Sequence, residues 1–214
     1  MASTASPYGF RAVNELNGLP YAGATRSFPI NPAGYNTNIF NGSLVYVAAS
    51  GYLQIVTSTG ADDSTNAFPT GSGGGATASG AIGVFVGCTY TNAQGQIIYS
   101  QYYPANTASV QGSTITAYVI DDDRAVFAVQ AANTVAASAL GSNVFLSAAQ
   151  STSTGSTTTG NSTTAVSASS TAATAAFRIV GFVNNAQSQV GDAYTDLLVK
   201  FNPGYHSYTV AIGL

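Results

Sequence analysis

Residues that commonly carry catalysis are scarce in this chain, which has one histidine, His206, and one cysteine, Cys88. A single histidine excludes a metal site built from a His pair, and a hydrolytic triad would need this histidine as its base. His206 lies in the aromatic segment YHSY, and no G-x-S-x-G elbow for a serine nucleophile occurs. Cys88 ends an apolar run, where a buried, unreactive thiol is the common outcome. We interpret both as packing residues and predict that the protein is not an enzyme.

The acidic residues suggest a second kind of chemistry, cation binding or acid–base catalysis. The consecutive residues Asp121–Asp123 offer oxygen ligands for Ca²⁺, but they lack the alternating spacing, the glycine and the distal Glu of an EF-hand loop. A turn at the tip of a hairpin is the favoured interpretation, and the pair Asp62–Asp63 is treated in the same way. Asp192 and Asp196 are too few to indicate the paired carboxylates of a glycosidase. We expect no bound metal and no cofactor.

Two low-complexity segments interrupt the chain, at about 57–80 and 151–176. The first contains GSGGG at 71–75, but no Lys-Ser or Lys-Thr follows it, and no strand and helix flank it as in a phosphate-binding loop. The second consists only of Ser, Thr, Gly, Asn, Ala and Val. Such segments bury too little apolar surface to offset their ordering entropy, so we expect their order to come from contact with another subunit.

Charge is unusually rare in the sequence. Only 6% of the residues are charged, against about 25% in typical soluble domains, and there are five basic residues with a net charge of −3. No basic patch exists to release phosphate counterions, so we expect no nucleic-acid partner. The longest apolar run, at 80–88, is far shorter than the roughly 18 to 20 residues of a membrane span, and no signal-peptide pattern is present. The surface is therefore either neutral and polar or covered by partner subunits.

Short runs of Val, Ile, Tyr, Phe and Thr, bounded by turn-forming residues, predict β-strands. The runs lie at 43–48, 52–57, 82–90, 96–102, 114–120, 125–131, 177–183 and 195–201. Short loops at 91–95 and 121–124 predict two hairpins. The fold class is therefore all-β, a small antiparallel β-barrel or sandwich with long Ser/Thr/Gly-rich loops. An Ala-rich stretch at 134–140, ahead of Gly141, predicts one short helix.

Residues 1–30 differ from the β domain predicted at 31–214. Four prolines are spaced through and just after them, which predicts an extended N-terminal arm. The arm carries two of the five basic residues and several apolar side chains that would be costly to expose, including Leu16 and Leu19. We therefore predict that it lies across a partner. The predicted contact residues are Tyr8, Phe10, Arg11, Tyr21, Arg26 and Phe28.

Several stretches of the chain resemble the head decoration, or cement, proteins of tailed bacteriophages. They are SPYGFR at 6–11, YAGATR at 21–26, IFNG at 39–42, GVFVG at 83–87, VFAVQA at 126–131 and VGDAYTD at 190–196. The match runs nearly end to end, but none of these stretches is a catalytic motif. The chain departs from the family pattern at Asp123, which follows Asp121-Asp122 and precedes VFAVQA. The family pattern has Pro at this position, and the departure alters only a turn.

The resemblance implies a structural virion protein that binds the capsid exterior, commonly as a homotrimer, and stabilises contacts between major capsid subunits. Its implied partners are the major capsid protein and other copies of itself, with no membrane, and it would be made in the host cytoplasm. A tail or fibre component is the nearest alternative, because such proteins are also β-rich and poor in charge. A carbohydrate-binding or adhesin module would show a cluster of exposed aromatic residues on one sheet face. A hydrolase would need an assembled set of catalytic residues.

Overall fold

The computed structural model describes residues 4–61, 80–110, 112–168 and 175–209. These residues form two antiparallel sheets that are not closed into a barrel. The all-β prediction is confirmed, and of the two predicted architectures the sandwich is the one observed. No helix in these residues is both long enough and apolar enough to span a membrane.

Sheet A has five strands in the order β1-β8-β11-β10-β9. Their bounds are β1 Arg11–Glu15, β8 Ala125–Gln130, β11 Asp196–Phe201, β10 Phe177–Phe182 and β9 Asn143–Val144. Sheet B has the order β2-β7-β5-β3-β4, with β6 also beside β5. Its strands are β2 Arg26–Ile30, β7 Ile115–Ile120, β5 Gly83–Thr91, β3 Leu44–Val47, β4 Leu53–Ile55 and β6 Ile97–Ser100. Two 3-10 turns, Ala137–Ala139 and Ser207–Thr209, complete the elements, and the first stands where the sequence predicted a short helix.

One of the two predicted hairpins is confirmed. β5 and β6 pair from Thr91 opposite Ile97, and Asn92 closes the turn by accepting the N–H groups of Gln94 at 3.0 Å and Gln96 at 2.9 Å. The predicted hairpin at 121–124 is wrong, because β7 belongs to sheet B and β8 to sheet A. The turn is short enough for a hairpin, but it carries the chain from one sheet to the other. Turn length alone does not reveal which sheet the next strand joins.

Two apolar cores flank sheet B. The inter-sheet core joins Leu44 and Val84 of sheet B to Phe127 and Phe177 of sheet A. The second core lies on the other face of sheet B and includes Phe85. It is covered by the loops that carry Ile39 and Tyr103, which pair through an isolated antiparallel bridge. The central strands of sheet B are therefore buried on both faces over much of their length.

The Ser/Thr-rich segment at 151–168 is packed against its own chain. Ser162 and Val166 are fully buried, and Val166 bridges both Ala131 and Leu146. Just before this segment the buried Gln150 donates to the carbonyls of Leu44 and Val56 and accepts the N–H of Leu44 at 3.0 Å. The order of this part of the segment therefore does not require another subunit, contrary to expectation. Residues 169–174, and most of the first segment, including 71–75 and Asp62–Asp63, lie outside the described residues.

The predicted arm is extended, but it belongs to both sheets of its own chain. β1 pairs with β8 at one edge of sheet A, and β2 pairs with β7 at one edge of sheet B. The prolines were expected to prevent such ladders. Pro29 is accommodated opposite Thr116 because an edge strand needs the N–H of only alternate residues.

Candidate functional site

Of the predicted contact residues in the arm, Phe10 points inward. It is 1% exposed and packs against Phe127 and Phe177 with ring centroids 6.2 and 4.9 Å away. The preceding Gly9 has a φ of +75°, and a Cβ there would lie 2.8 Å from the carbonyl oxygen of Gly42. This close approach directs Phe10 into the inter-sheet core, so its predicted contact with a partner is wrong. Phe28 is half-buried against the second core.

Tyr8 and Arg11 form a pair beside sheet A. The guanidinium carbon of Arg11 lies 4.7 Å from the centroid of the Tyr8 ring, a cation–π contact. Burial and the hydrogen-bonded carboxylate of Asp196 raise the pKa of Tyr8 well above its ordinary value. Tyr8 therefore keeps its proton and donates to Asp196, while Arg11 remains exposed at the surface.

Arg26 takes part in a polar cluster with Asp121 and Tyr208. Its Nε lies 3.0 Å from Oδ2 of Asp121, and its terminal nitrogen donates to the Tyr208 hydroxyl at 2.9 Å. That hydroxyl donates in turn to the same carboxylate oxygen of Asp121. Burial, reinforced by Asp121, raises the pKa of Tyr208 to about 12. Arg26 was predicted to pair with acidic groups on a partner, and within its own chain it already has both of these contacts.

Tyr21 and His206 border the same cluster. Burial, with Asp122 and Asp121, raises the pKa of Tyr21, whose hydroxyl donates to the carbonyl of Ala24. His206 is fully buried, and its Nδ1 accepts the N–H of Tyr208 at 3.3 Å. Burial lowers the pKa of His206 in spite of the nearby aspartates, which raise it. The histidine is therefore a neutral packing residue that holds the final 3-10 turn.

The exposed apolar part of the arm is a hairpin whose first side is β1, and we define its side chains Val13, Leu16 and Leu19 as the arm tip. They are 41%, 52% and 59% exposed. The hairpin is closed by the N–H of Glu15, which donates to the carbonyl of Leu19 at 2.8 Å. The N–H of Leu16 donates to the carbonyl of Arg124 at 2.9 Å, which ties the hairpin to the turn between the sheets.

Sequence reasoning named Leu16 and Leu19 as apolar anchors but missed the hairpin that presents them. The signal was present, because Asn17 is followed by Gly18, a pair typical of hairpin turns. Gly18 has a φ of +86°, and the side chain of Asn17 accepts the N–H of Leu19 at 2.9 Å. No comparable signal links Arg26 to Asp121 or Tyr208, which are far apart in the sequence.

The other candidate residues serve turns or the core. Asp122 accepts the N–H of Arg124 at 2.8 Å, as expected of a turn residue. Burial raises the pKa of Cys88 to about 12, and its side chain is 2% exposed. Within the described ranges, no group of three or more His, Cys, Asp or Glu residues is arranged to hold a metal ion.

The described surface also has an open cleft of about 540 Å³ lined by Asn184, Asn185, Gln189 and Val190. Its amide groups offer hydrogen bonds but no charge. Comparison of the chain with known protein families, with characterised proteins and with solved structures finds no match. A functional proposal therefore depends on the surfaces of the molecule itself. Within the arm, which was predicted to lie across a partner, the arm tip presents three exposed large apolar side chains.

Proposed function

We propose that this chain is a structural virion protein, a capsid decoration or cement protein, that binds the exterior of a tailed-phage head and stabilises contacts between major capsid subunits. The observation that carries the proposal is the arm tip. Its three side chains are exposed, and its backbone is held in place by hydrogen bonds to the rest of the chain. Exposed apolar groups on a fixed hairpin favour binding to another protein, because little conformational entropy is lost on association.

The scarcity of charge fits a partner that is bound through apolar and neutral polar contacts. Five basic and eight acidic residues cannot cover the surface with ion pairs. Binding that depends on buried apolar area is nearly insensitive to salt, because screening acts on charges. In this proposal the partners are the major capsid protein and other copies of the chain, as a homotrimer on the virion. The role requires no catalysis, no cofactor, no membrane and no nucleic acid.

A tail or fibre component would use the same kind of surface, so only the location of the chain on the particle separates it from a head protein. The carbohydrate-binding alternative has less support. Among the described residues the most exposed aromatic side chains are Tyr99, at 79%, and Tyr208, at 47%, and they lie on different elements. They do not form the single aromatic face that this alternative requires.

The proposal is tested by binding to undecorated heads. We would mix them with the wild type, with a Leu16→Ser/Leu19→Ser variant and with Leu140→Ser, sediment the particles and measure occupancy. Leu140 is the matched control, because it is 58% exposed but lies outside the arm. We expect the double variant to lose occupancy by roughly tenfold or more, and the control to bind like the wild type.

Equal occupancy of the double variant and the wild type would contradict the role of the arm tip. Failure of the wild type to bind heads, together with binding to tails, would favour the tail alternative. Deletion of residues 1–28 is a poor test, because it would remove Phe10 from the core and the strand β1 from sheet A.

A further inference from the structure

The edges of the two sheets are protected unequally. The hairpin that carries the arm tip covers the edge at β1, where Tyr21 donates its N–H to the carbonyl of Val13 at 3.1 Å. β2 contains Pro29 and begins at the charged Arg26, both of which discourage strand pairing. β4 and β9 are short and largely buried. Within the described part of the chain β6 has none of these protections: it is exposed at alternate positions and contains neither proline nor charge.

The outward backbone groups of β6 can be identified from its ladder. Asn92 donates to the carbonyl of Gln96 at 2.9 Å, so these two residues form a hydrogen-bonded pair at the end of the hairpin. Bonded and non-bonded pairs alternate along an antiparallel ladder, which places the N–H and C=O groups of Ile97 and Tyr99 on the side away from β5. Within the described residues, the backbone groups of β6 bond only to β5.

The side chains of the same two residues are also exposed. Ile97 is 64% and Tyr99 is 79% exposed, the two highest values among the large apolar residues of the described chain. A strand edge with free backbone groups and exposed β-branched and aromatic side chains favours pairing with another strand. The surrounding sequence from 64 to 120 contains no charged residue, so two copies of this region meet without like-charge repulsion.

We propose that β6 is a self-association edge, which pairs antiparallel with β6 of a second copy around a twofold axis. With Ile98 at the axis, the outward groups of Ile97 face those of Tyr99 in the second copy, and the reverse pair forms by symmetry. Each Ile side chain then lies on the same face as the Tyr side chain opposite it, an aromatic–β-branched pair that stabilises antiparallel sheets. The edge is therefore complementary to itself, as an isologous contact requires.

This inference does not rest on the capsid role, since the pairing depends on β6 alone. It is also compatible with that role. Trimers placed on local threefold axes of a shell are related by local twofold axes, so a β6 contact would link neighbouring trimers. The test uses the free protein without capsids, and its failure is therefore distinguishable from failure of the proposed function.

The experiment measures the mass of the full chain by sedimentation equilibrium over a concentration series. Tyr99→Pro removes an N–H that β5 does not use, so the fold should be kept while edge pairing is blocked. Ile97→Lys adds a charge to the edge, and Leu140→Lys adds the same charge at an exposed aliphatic residue outside β6. We expect the first two variants to weaken association by roughly tenfold or more and the third to leave it unchanged.

Amide hydrogen exchange identifies the edge directly. We expect the N–H groups of Ile97 and Tyr99 to become protected as concentration rises, while that of Ile98, bonded to β5, is protected at every concentration. A wild type that stays monomeric throughout the series would overturn the inference. So would association that is the same in the wild type and in both β6 variants, whatever the size of the species.

Discussion

The two sheets of this molecule differ in how their faces are covered and in how much charge their strands carry. Sheet A has an outer face with exposed and half-buried positions, and it carries most of the charged strand residues, among them Arg178 and Lys200. In the described strands of sheet B the one charged residue is Arg26, at the start of an edge strand. The strands β3 and β5 of this sheet are buried on both faces over much of their length. A sheet that its own loops cover needs little charge. Apart from Arg26 and the charged turn at 121–124, what sheet B leaves in contact with solvent is neutral, and its uncharged edge at β6 is available for association.

The largest effect is expected from truncating a side chain in the second core, on the face of sheet B that is covered by loops. The measured loss of stability shows whether this core contributes as much as the inter-sheet core. Phe85 is fully buried there. Phe85→Ala should lower the free energy of unfolding by about 3–5 kcal/mol, through lost burial and an unfilled cavity. Phe10→Ala, in the inter-sheet core, is the matched comparison and should cost a similar amount. Denaturant titration measures both, and a cost below about 1 kcal/mol for Phe85→Ala alone would show that the loops over sheet B contribute little.

Most of this architecture follows from local sequence, and the rest depends on distant residues. The eight predicted strand runs correspond to β3–β8, β10 and β11, because β-branched and aromatic runs are a local signal. β1 and β2 were missed because the prolines spaced through residues 1–30 predicted an extended arm without regular strand pairing. The change of sheet at 121–124 depends on which edges remain unpaired elsewhere in the fold. The cluster of Arg26 with Asp121 and Tyr208 likewise joins residues that only the folded chain brings together.

A smaller effect depends on pH and arises from His206, which lies between Phe201 of sheet A and its bridge to Ala81, just ahead of β5. The histidine is buried beside sheet A, with its ring 5.1 Å from that of Phe201. Burial lowers its pKa in the folded state, so the unfolded chain binds a proton more readily. Stability from this group is therefore present above the unfolded pKa, near 6.5, and is lost as pH falls below it towards the folded value.

We expect the melting temperature to fall between pH 7.5 and pH 5, and His206→Asn to reduce that dependence. Cys88 is a control in sheet B, because burial raises the pKa of its thiol to about 12 and it does not titrate in this range. Cys88→Ala should keep the wild-type pH profile. An unchanged profile in the histidine variant would show that other groups determine the acid response.

The smallest expected effect concerns the ion pair of Arg26 with Asp121, where β2 meets the turn between the sheets. The side chain of Arg26 is 62% exposed, so water and salt screen its attraction to the carboxylate. Asp121 is only 14% exposed, but because its partner is well exposed we expect the contribution of a surface pair, about 0–1 kcal/mol, and Arg26→Gln should lower the free energy of unfolding by no more than that. A double-mutant cycle with Asp121→Asn, run by denaturant titration at low and high salt, isolates the coupling between the two side chains.

If the difference between the sheets is as argued, sheet B is stabilised by its two apolar cores and the coupling is small and decreases with salt. A coupling of several kcal/mol that is independent of salt would show instead that this single charge anchors the edge of the neutral sheet.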